Sequence, residues 1–294
     1  MPNKTAAVQL KRRRISPSKI ITYIILSLWA VTTIFPFIWV IINSFKERKY
    51  ILTQSFALPI GELFTLNNFT ETFEKFAVGP AYRNSLIISG TVTIAVIIIS
   101  GLCAYGMARY NFRGRKILQT LLIASMMFPV FSTIIPVFSM QTKWGIVNNT
   151  VPLSWVSVIL PQIAGNIAFG TVVLMGYIRS LPIDLEEAAY LEGYGVFRIF
   201  FRIIMPLAKP SFATIAIFSF LWSYNDLFTQ MFYLRSADYF TITRLLNEIS
   251  SQSGGTNHGW MAAAVVIVVI PVLVVYVFLQ KNIVKGLTAG AIKG

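Results

Sequence analysis

Asp226 is the one carboxylate inside the long apolar segments of this 294-residue chain. A charged side chain at the centre of a membrane costs about 2.5–3.5 kcal/mol on insertion scales, so we expect it to face protein or water. Trp222, Asn225 and Thr229 follow the same three- and four-residue steps of a predicted helix. Their polar groups and indole face could hold the hydroxyls and the flat CH face of a sugar. The stripe therefore predicts a path for a polar solute rather than a catalytic site.

Two other roles for this stripe stay open. Asp226 and Asn225 could lock their helix to a neighbouring helix and never contact a solute. Asp226 also lies towards the outer end of its segment, where it could contact an external gate or an external protein. Gln230, on an adjoining face, is a weaker candidate for the path.

A second polar feature interrupts the apolar pattern at residues 179–209. Asp184 is predicted to cap a short helix there by accepting from the backbone N–H of Glu186 or Glu187. Those two glutamates then lie in the first helical turn, where the positive end of the helix dipole favours them. Further along, Pro206 is expected to set the entry into the next membrane segment.

The rest of this short helix has the residues of a docking element. Ala188 and Ala189 keep one face small and favour the helix. Gly193 permits a left-handed residue at the C-terminal end and a close approach by another surface. These features suit insertion into a groove on another protein. A helix lying flat on the lipid surface is the alternative that the residues alone leave open.

The composition is that of a protein that crosses a membrane several times. Hydrophobic residues make up 55% of the chain and charged residues only 12%, against about 25% charged in soluble domains. Six segments are long enough, because a bilayer core of about 30 Å needs about 20 apolar residues in helix. Pro129, Pro136 and Pro161 interrupt the apolar pattern of the third and fourth, where we expect bent, packed helices, since a membrane helix tolerates proline when neighbours satisfy the freed carbonyl group. The predicted segments are 20–43, 85–108, 117–140, 154–177, 210–233 and 260–281.

The basic residues predict the orientation of these segments. Most of them lie in parts of the chain that are cytoplasmic if the N-terminus is cytoplasmic. The prediction is an all-α membrane domain over 20–281, with a basic arm at 1–19, a tail at 282–294 and both termini in the cytoplasm. Lys46 and Lys49 do not fit, since they follow the first segment on the outer side. The net charge of +14 is thus mainly a topology signal and needs no nucleic-acid partner.

Several kinds of chemistry are absent from the sequence. One histidine (His258) and one cysteine (Cys103) exclude an internal disulfide and argue against a Cys/His metal site. The phosphate-binding pattern G-x-x-x-x-G-K-[ST] does not occur, so the chain is not expected to bind ATP in such a loop. We therefore expect no enzymatic activity, no metal and no cofactor in this chain.

The polar segment also carries a spaced motif: E-A-A, three residues, G, nine residues, and then I-x-L-P. The residues in register are Glu187, Ala188, Ala189, Gly193, Ile203 and Pro206, with Met205 in place of the usual leucine. This pattern resembles the signature loop of the permease subunits of bacterial ABC importers. In that family the loop couples to a cleft of the ATPase subunit. The resemblance implies such a coupling role for the residues from Asp184 to Pro206, including Glu186.

Three further stretches resemble the carbohydrate branch of that family. They are Phe35-Pro36-Phe37 together with residues 43–46, the run 222–226, and the C-terminal run 286–294. The chain is thereby similar to the shorter, six-helix permease of a maltose-type oligosaccharide importer. Glu192, Tyr194 and Gly195 depart from the residues more usual in the sugar branch, which puts the particular ATPase partner in doubt.

The resemblance implies a type I ABC importer permease fold and a set of partners. The chain would form half of a heterodimeric pore with a second, homologous permease subunit in the bacterial cytoplasmic membrane. Two ATPase subunits would hold ATP and Mg, and an extracytoplasmic binding protein would deliver a carbohydrate.

Other functions remain possible at this stage. The cargo could be a peptide or an amino acid instead of a sugar. A stand-alone secondary carrier is less well supported, because such carriers more often show several intramembrane ionisable residues and inverted repeats. A membrane scaffold without a pore would not explain Asp226 and the prolines within the apolar segments.

Overall fold

The computed structural model describes residues 17–147, 151–252 and 257–291, and every regular element in these ranges is helical. This confirms the predicted all-α class. A π-helical turn, Phe200–Ile204, joins α9 to α10. In chain order the helices are α1 (Pro17–Ser44), α2 (Arg48–Thr53), α3 (Asn67–Lys75), α4 (Val78–Arg109), α5 (Arg115–Ser125), α6 (Val130–Lys143), α7 (Val151–Arg179), α8 (Asp184–Leu191), α9 (Val196–Ile199), α10 (Met205–Leu207), α11 (Lys209–Asn225), α12 (Leu227–Tyr233), α13 (Ile242–Gln252) and α14 (His258–Ala291).

The core is built from α4, α7 and α11, which pack along one another. Glycines let the helices approach closely, as is usual for packing inside membranes. A Cβ added to Gly170 of α7 would fall 2.8 Å from the hydroxyl oxygen of Ser100 on α4. A Cβ added to Gly101 of α4 would fall 2.8 Å from the ring of Phe212 on α11. These three helices hold in place the polar residues described below.

The number of membrane crossings agrees with the prediction only in part. Three helices, α1, α4 and α7, are long and apolar enough to span, and two bent helix pairs raise the number to five if each pair is one crossing. The sixth predicted segment contains a shorter apolar helix among the described residues, His258–Val274, at the start of α14. The backbone of α14 continues to Ala291, so most of the predicted tail is helical. Most of the predicted N-terminal arm, residues 1–16, lies outside the described residues.

The third predicted segment is broken in the middle. Helices α5 and α6 meet at 101°, and Pro129 stands directly before α6 in an extended conformation. Proline fixes its own φ and disfavours helix at the residue before it, which explains the break. Pro136 and Pro161 lie inside α6 and α7 without ending them. Both positions agree with the expectation that a membrane helix tolerates proline within it.

The fifth predicted segment is also divided. Helix α11 ends at Asn225 and α12 begins at Leu227, because the backbone of Asp226 is not helical (φ −73°, ψ 87°). At the other end, the helical stretch Val196–Leu207 meets α11 at 84°. A single helix over 210–233 was thus a wrong prediction, and the polar stripe does not lie on one continuous helix.

Lys46, which did not fit the charge pattern, is fully buried just after α1. Its ammonium donates to the carbonyl oxygens of Gln54 and Ser55 at 3.0 and 3.1 Å and to Asn43 Oδ1 at 3.3 Å. Burial lowers the pKa of Lys46. This lysine therefore closes the C-terminal end of α1 and is not a free surface charge.

Candidate functional site

The predicted coupling segment forms helix α8 immediately after the end of α7. The backbone N–H groups of Glu186 and Glu187 donate to the carbonyl oxygen of Ile183 at 2.8 and 3.1 Å. Ile183 occupies the N-cap position, and Asp184 is the first helical residue. The prediction that Asp184 caps the helix is wrong, because the helix starts one residue earlier than expected and no side chain caps it.

Glu186 is held inside the protein by the end of α4. Its side chain is almost completely buried, and Arg109 Nε donates to Glu186 Oε1 at 2.5 Å. Tyr105 donates its hydroxyl to Glu186 Oε2 at 2.9 Å, and Arg109 Nη2 donates to the carbonyl oxygen of Leu181 at 2.9 Å. We call Tyr105, Arg109 and Glu186 the inner latch. It joins the start of α8 to the last turns of α4.

The end of α8 follows the predicted glycine geometry. Gly193 has φ +80°, a left-handed conformation that favours glycine. The N–H of Gly193 donates to the Tyr190 carbonyl oxygen, and the N–H of Tyr194 donates to the Ala189 carbonyl oxygen, both at 3.0 Å. This pair of bonds is the Schellman C-terminal motif. The prediction of a left-handed residue at this helix end is confirmed.

The opposite face of α8 is exposed. Glu187 and Ala188 point away from the core, whereas Ala189 is buried beside Glu186. Leu191 is 91% exposed, a large apolar side chain with almost no contact. Tyr190 is hydrogen-bonded to the hydroxyl of Tyr110, and this bond raises the pKa of Tyr190. The helix therefore has one face fixed to α4, and its opposite face is exposed in the part of the chain that the structure describes.

Pro206 lies in the bent connection between α8 and α11. Proline has no N–H, and in a regular α-helix its ring would clash with the carbonyl group of Arg202. The wider π-helical turn Phe200–Ile204 directly precedes this position, as expected where a helix is distorted by proline. Phe200 in this turn is buried, with its ring 5.6 Å from Tyr105 and 6.3 Å from Phe212. The connection is therefore packed against α4 and α11.

Asp226 is fixed by neighbours on two helices. Its Oδ1 accepts from the backbone N–H of Thr229 at 3.1 Å and so caps α12. Gln162 of α7 donates from Nε2 to Asp226 Oδ2 at 2.9 Å, and Ser223 donates to Gln162 Oε1 at 2.6 Å. Gln162 is 5% exposed. This arrangement has the geometry of a structural lock between helices, one of the three roles left open above.

The other residues of the polar stripe do not share one direction. Thr229 is buried, whereas Trp222 is 47% exposed and Asn225 is also exposed. The Trp222 ring lies 5.2 Å from Phe169 and 6.1 Å from Phe218. The non-helical backbone at Asp226 explains the divergence, because it changes the direction of every side chain that follows. Trp222 and Asn225 can contact a ligand, and Thr229 is enclosed by protein.

Sequence reasoning missed Gln162, Arg109 and Tyr105. A glutamine one position after Pro161, within an apolar segment, is a weak signal of a buried polar contact. Arg109 looked like an ordinary positive charge at a membrane boundary. Among the described residues, no group of three or more His, Cys, Asp or Glu side chains could hold a metal ion.

Comparison with known proteins identifies the family. Residues 96–289 match the model of the binding-protein-dependent transport system inner membrane component. The diacetylchitobiose uptake system permease protein NgcG of Streptomyces coelicolor is 32% identical over 93% of this chain and 88% of its own length. The maltodextrin transport system permease protein MalD of Streptococcus pneumoniae is 30% identical over 98% of this chain and 99% of its own. The chain belongs to this family of transport permeases.

A solved structure supports the fold of the permease. One chain of a bacterial ABC transporter for import of the acidic polysaccharide alginate superposes with a TM-score of 0.77. The two share 22% identity, and the match covers 91% of this permease and 98% of that chain. The family match takes in the inner latch, α8 and the Asp226 region, whereas α1, α2 and α3 precede it. The sequence-based recognition of an ABC importer permease is thus confirmed.

Proposed function

We propose that this permease imports oligosaccharides or other carbohydrates as one half of a heterodimeric pore in the bacterial cytoplasmic membrane. The cargo class rests on the relatives, which include the galactooligosaccharides transport system permease protein GanQ of Bacillus subtilis, 32% identical over 93% of this chain and 95% of its own. The second subunit of the pore would be a homologous permease. Six crossings with both termini in the cytoplasm complete the proposal.

The observation that supports the coupling mechanism is that α8 has one face fixed to α4 and an opposite face that is exposed. Membrane-surface helices are rich in Lys and Arg on their polar face. Helix α8 contains no basic residue and three acidic ones, and its inner face is fixed to α4 through the inner latch. Leu191 and the small Ala188 lie on the free side. This face suits a protein groove better than lipid, so we propose that it docks on an ATPase subunit.

The division of labour among the subunits follows. ATP and Mg would be held by two separate ATPase subunits, and this chain would hydrolyse nothing. Movement of the ATPases would reach the bundle through α8 and the inner latch, turning the pore outward or inward. A solute-binding protein on the outer side would deliver the cargo. One solved relative of the fold is the alginate transporter in complex with its periplasmic protein bound to an alginate pentasaccharide, with a TM-score of 0.66.

The proposed substrate path begins at Trp222 and Asn225. An exposed indole ring flanked by Phe169 and Phe218 offers a flat surface for a pyranose, and the Asn225 amide offers donor and acceptor atoms. Asp226 and Thr229 would act behind them, keeping α11 and α12 in position.

The experiment that tests this function is a charge reversal on the free face of α8. Glu187→Lys should abolish ATP-driven uptake and loosen the ATPase subunits during purification, while membrane insertion is unchanged. Glu62→Lys, the same change on an exposed residue of the loop before α3, serves as the control and should leave ATPase association unchanged. Uptake that persists in Glu187→Lys would contradict the docking role. Purification of a transport-active wild-type chain without any ATPase would instead indicate a secondary carrier.

A further inference from the structure

The chain has a second feature with ligand-binding character, away from the proposed path. A groove of about 610 Å³ lies where the loop after α4 meets the start of α5 and the end of α7. This volume is within the range of about 300–1,000 Å³ that small-molecule sites occupy. Its polar lining is Asn111, Arg115, Lys116, Gln119 and Arg179.

The groove is positively charged and has no compensating acid. None of its lining residues is Asp or Glu, and the ion pairs found among the described residues do not include Arg115, Lys116 or Arg179. Arg115 Nη1 donates to Asn111 Oδ1 at 2.6 Å and to the carbonyl oxygen of Tyr110 at 3.4 Å, which holds the guanidinium in place and leaves its Nε and Nη2 N–H groups for a ligand. Three like charges around one groove repel one another, and an anion bound between them would offset this repulsion by attracting each of them.

An apolar surface continues from the charged groove. No residue of α5 is buried in the chain, and Ile117 and Leu121 are 67% and 60% exposed. Arg179 ends α7, and the loop that holds Asn111 follows α4; both helices are long and apolar enough to span, which puts the groove at the level of lipid headgroups. A ligand that uses both surfaces must combine a negative headgroup with apolar chains.

We propose that this groove binds the phosphate of an anionic phospholipid of the phosphatidylglycerol type, with its acyl chains along α5. Basic pockets between membrane helices on the cytoplasmic side bind the phosphates of other anionic lipids, cardiolipin and phosphoinositides, in other proteins. Free phosphate would satisfy the cations but leave the aliphatic face of α5 uncovered. Arg179 ends α7 and Asp184 begins α8, so the bound lipid would tie α5 to the segment that leads into the coupling helix. The proposal does not depend on the transported cargo.

The test measures lipid selectivity of the full-length permease, with any subunits that purify with it, in phosphatidylcholine bilayers. Trace spin-labelled phosphatidylglycerol and phosphatidylcholine report the fraction of lipid immobilised by the protein. Wild type should prefer phosphatidylglycerol by at least about fivefold. The groove triple variant Arg115→Gln, Lys116→Gln, Arg179→Gln should lose this preference. A control triple, Arg113→Gln, Arg198→Gln, Arg202→Gln, removes the same charge from exposed positions outside the groove and should keep most of it.

Three results would overturn the proposal. They are an absence of preference in wild type, an equal loss in both triple variants, and displacement of the lipid by inorganic phosphate, which would assign the groove to a small anion. If the groove triple does not fold, the exposed single change Lys116→Glu replaces it and is compared with Arg113→Glu. An equal loss from these two single changes would count against the groove in the same way.

Discussion

At the scale of single residues, Glu186 and Glu187 have opposite roles although they are neighbours. Glu186 is buried against Arg109, and removing one partner of a buried ion pair destabilises by about 3–5 kcal/mol because the other charge is left unpaired. Glu186→Ala should therefore lower the thermal unfolding temperature of the purified permease markedly. Glu187→Ala, on the exposed face, should leave it nearly unchanged.

A double variant separates the ion pair from general damage at this position. Arg109→Met combined with Glu186→Leu removes both charges, and such apolar replacements are often neutral or stabilising. The double variant should therefore recover stability lost by Glu186→Ala. Equal instability of the single and double variants would mean that the latch contributes through shape and not through charge.

Asp226 gives a second prediction at this scale. Asp226→Ala removes the cap of α12, which costs about 1 kcal/mol, and leaves the Gln162 amide without its acceptor, which costs about 1–3 kcal/mol. Asp226→Asn keeps an acceptor for the Thr229 N–H, but its side-chain NH2 group would face the Gln162 Nε2 donor, so it should restore only the share of the stability and transport that depends on the cap. Thermal unfolding and uptake of the two variants check this. Stable but inactive Asp226→Asn would instead point to direct contact with the solute.

Substitution of Trp222, unlike substitution of Asp226, should affect uptake more than stability. Its side chain is half exposed and supports no buried network, so Trp222→Ala should raise the substrate concentration needed for half-maximal uptake with little loss of stability. Trp222→Phe keeps an aromatic face and should retain most of the uptake. Equal uptake by Trp222→Ala and wild type would remove this residue from the path.

The sequence predicted the local chemistry of the site better than it predicted which way each side chain points and what it contacts. The acidic first turn of α8 and the left-handed Gly193 were predicted correctly, because both depend on local chemistry. The partners of Glu186 and Asp226 were not predictable, since Arg109 and Gln162 are far away in the chain and only packing brings them near. A two-glutamate run likewise gives no sign of which carboxylate is buried.

At the scale of helices, Gly193 and Gly195, which follow the end of α8, form a matched pair for substitution by alanine. Gly193 has φ +80°, and a side chain in the left-handed region costs about 1–2 kcal/mol. Gly193→Ala should therefore fray the end of α8 and weaken ATPase co-purification. Gly195 has φ −76° and open space around its Cβ position, so Gly195→Ala should have little effect. Equal behaviour of the two variants would contradict the role given to the C-terminal turn.

A second glycine pair tests the contact between α4 and α7. A Cβ on Gly170 would meet Ser100, whereas a Cβ on Gly165 of the same helix would meet nothing within 4 Å. Gly170→Ala should push the helices apart and lower the unfolding temperature. Gly165→Ala should be neutral or slightly stabilising, because alanine favours helix over glycine by about 1 kcal/mol. Retained stability in Gly170→Ala would show that α4 can shift at little cost.

Helix positions were predictable where apolar runs are continuous. The predictions failed where the backbone leaves the helical conformation within such a run. Helices α1 and α7 agree with their predicted segments within three residues, whereas α4 begins seven residues before its predicted start. The breaks at Pro129 and Asp226 divide two other segments. Hydropathy does not distinguish a straight span from a bent one, since both bury the same side chains. Only the partners of the exposed carbonyl and N–H groups decide where a helix stops.

At the scale of the whole molecule, the topology can be tested with the single cysteine of the chain. Replacing Cys103 by alanine gives a cysteine-free background for single cysteines at exposed positions. Six crossings with cytoplasmic termini place the loop that contains Glu62 and the loop that contains Asp238 outside, and α8 inside. A membrane-impermeant maleimide applied to spheroplasts should therefore label Glu62→Cys and Asp238→Cys directly. It should label Glu192→Cys only after permeabilisation.

The labelling of Asp238→Cys is the most informative of the three, because the side of the membrane on which this residue lies depends on whether α11 and α12 together cross the membrane. If Asp238→Cys is labelled only after permeabilisation, that pair is a re-entrant loop and α13 lies inside. Trp222 and Asn225 would then be reached from the cytoplasm alone, which is incompatible with a path for import. Direct labelling would mean that the break at Asp226 lies within a crossing helix, where the Asp226 carboxylate accepts from the freed N–H of Thr229 and Gln230 Nε2 donates to the carbonyl oxygen of Ser223.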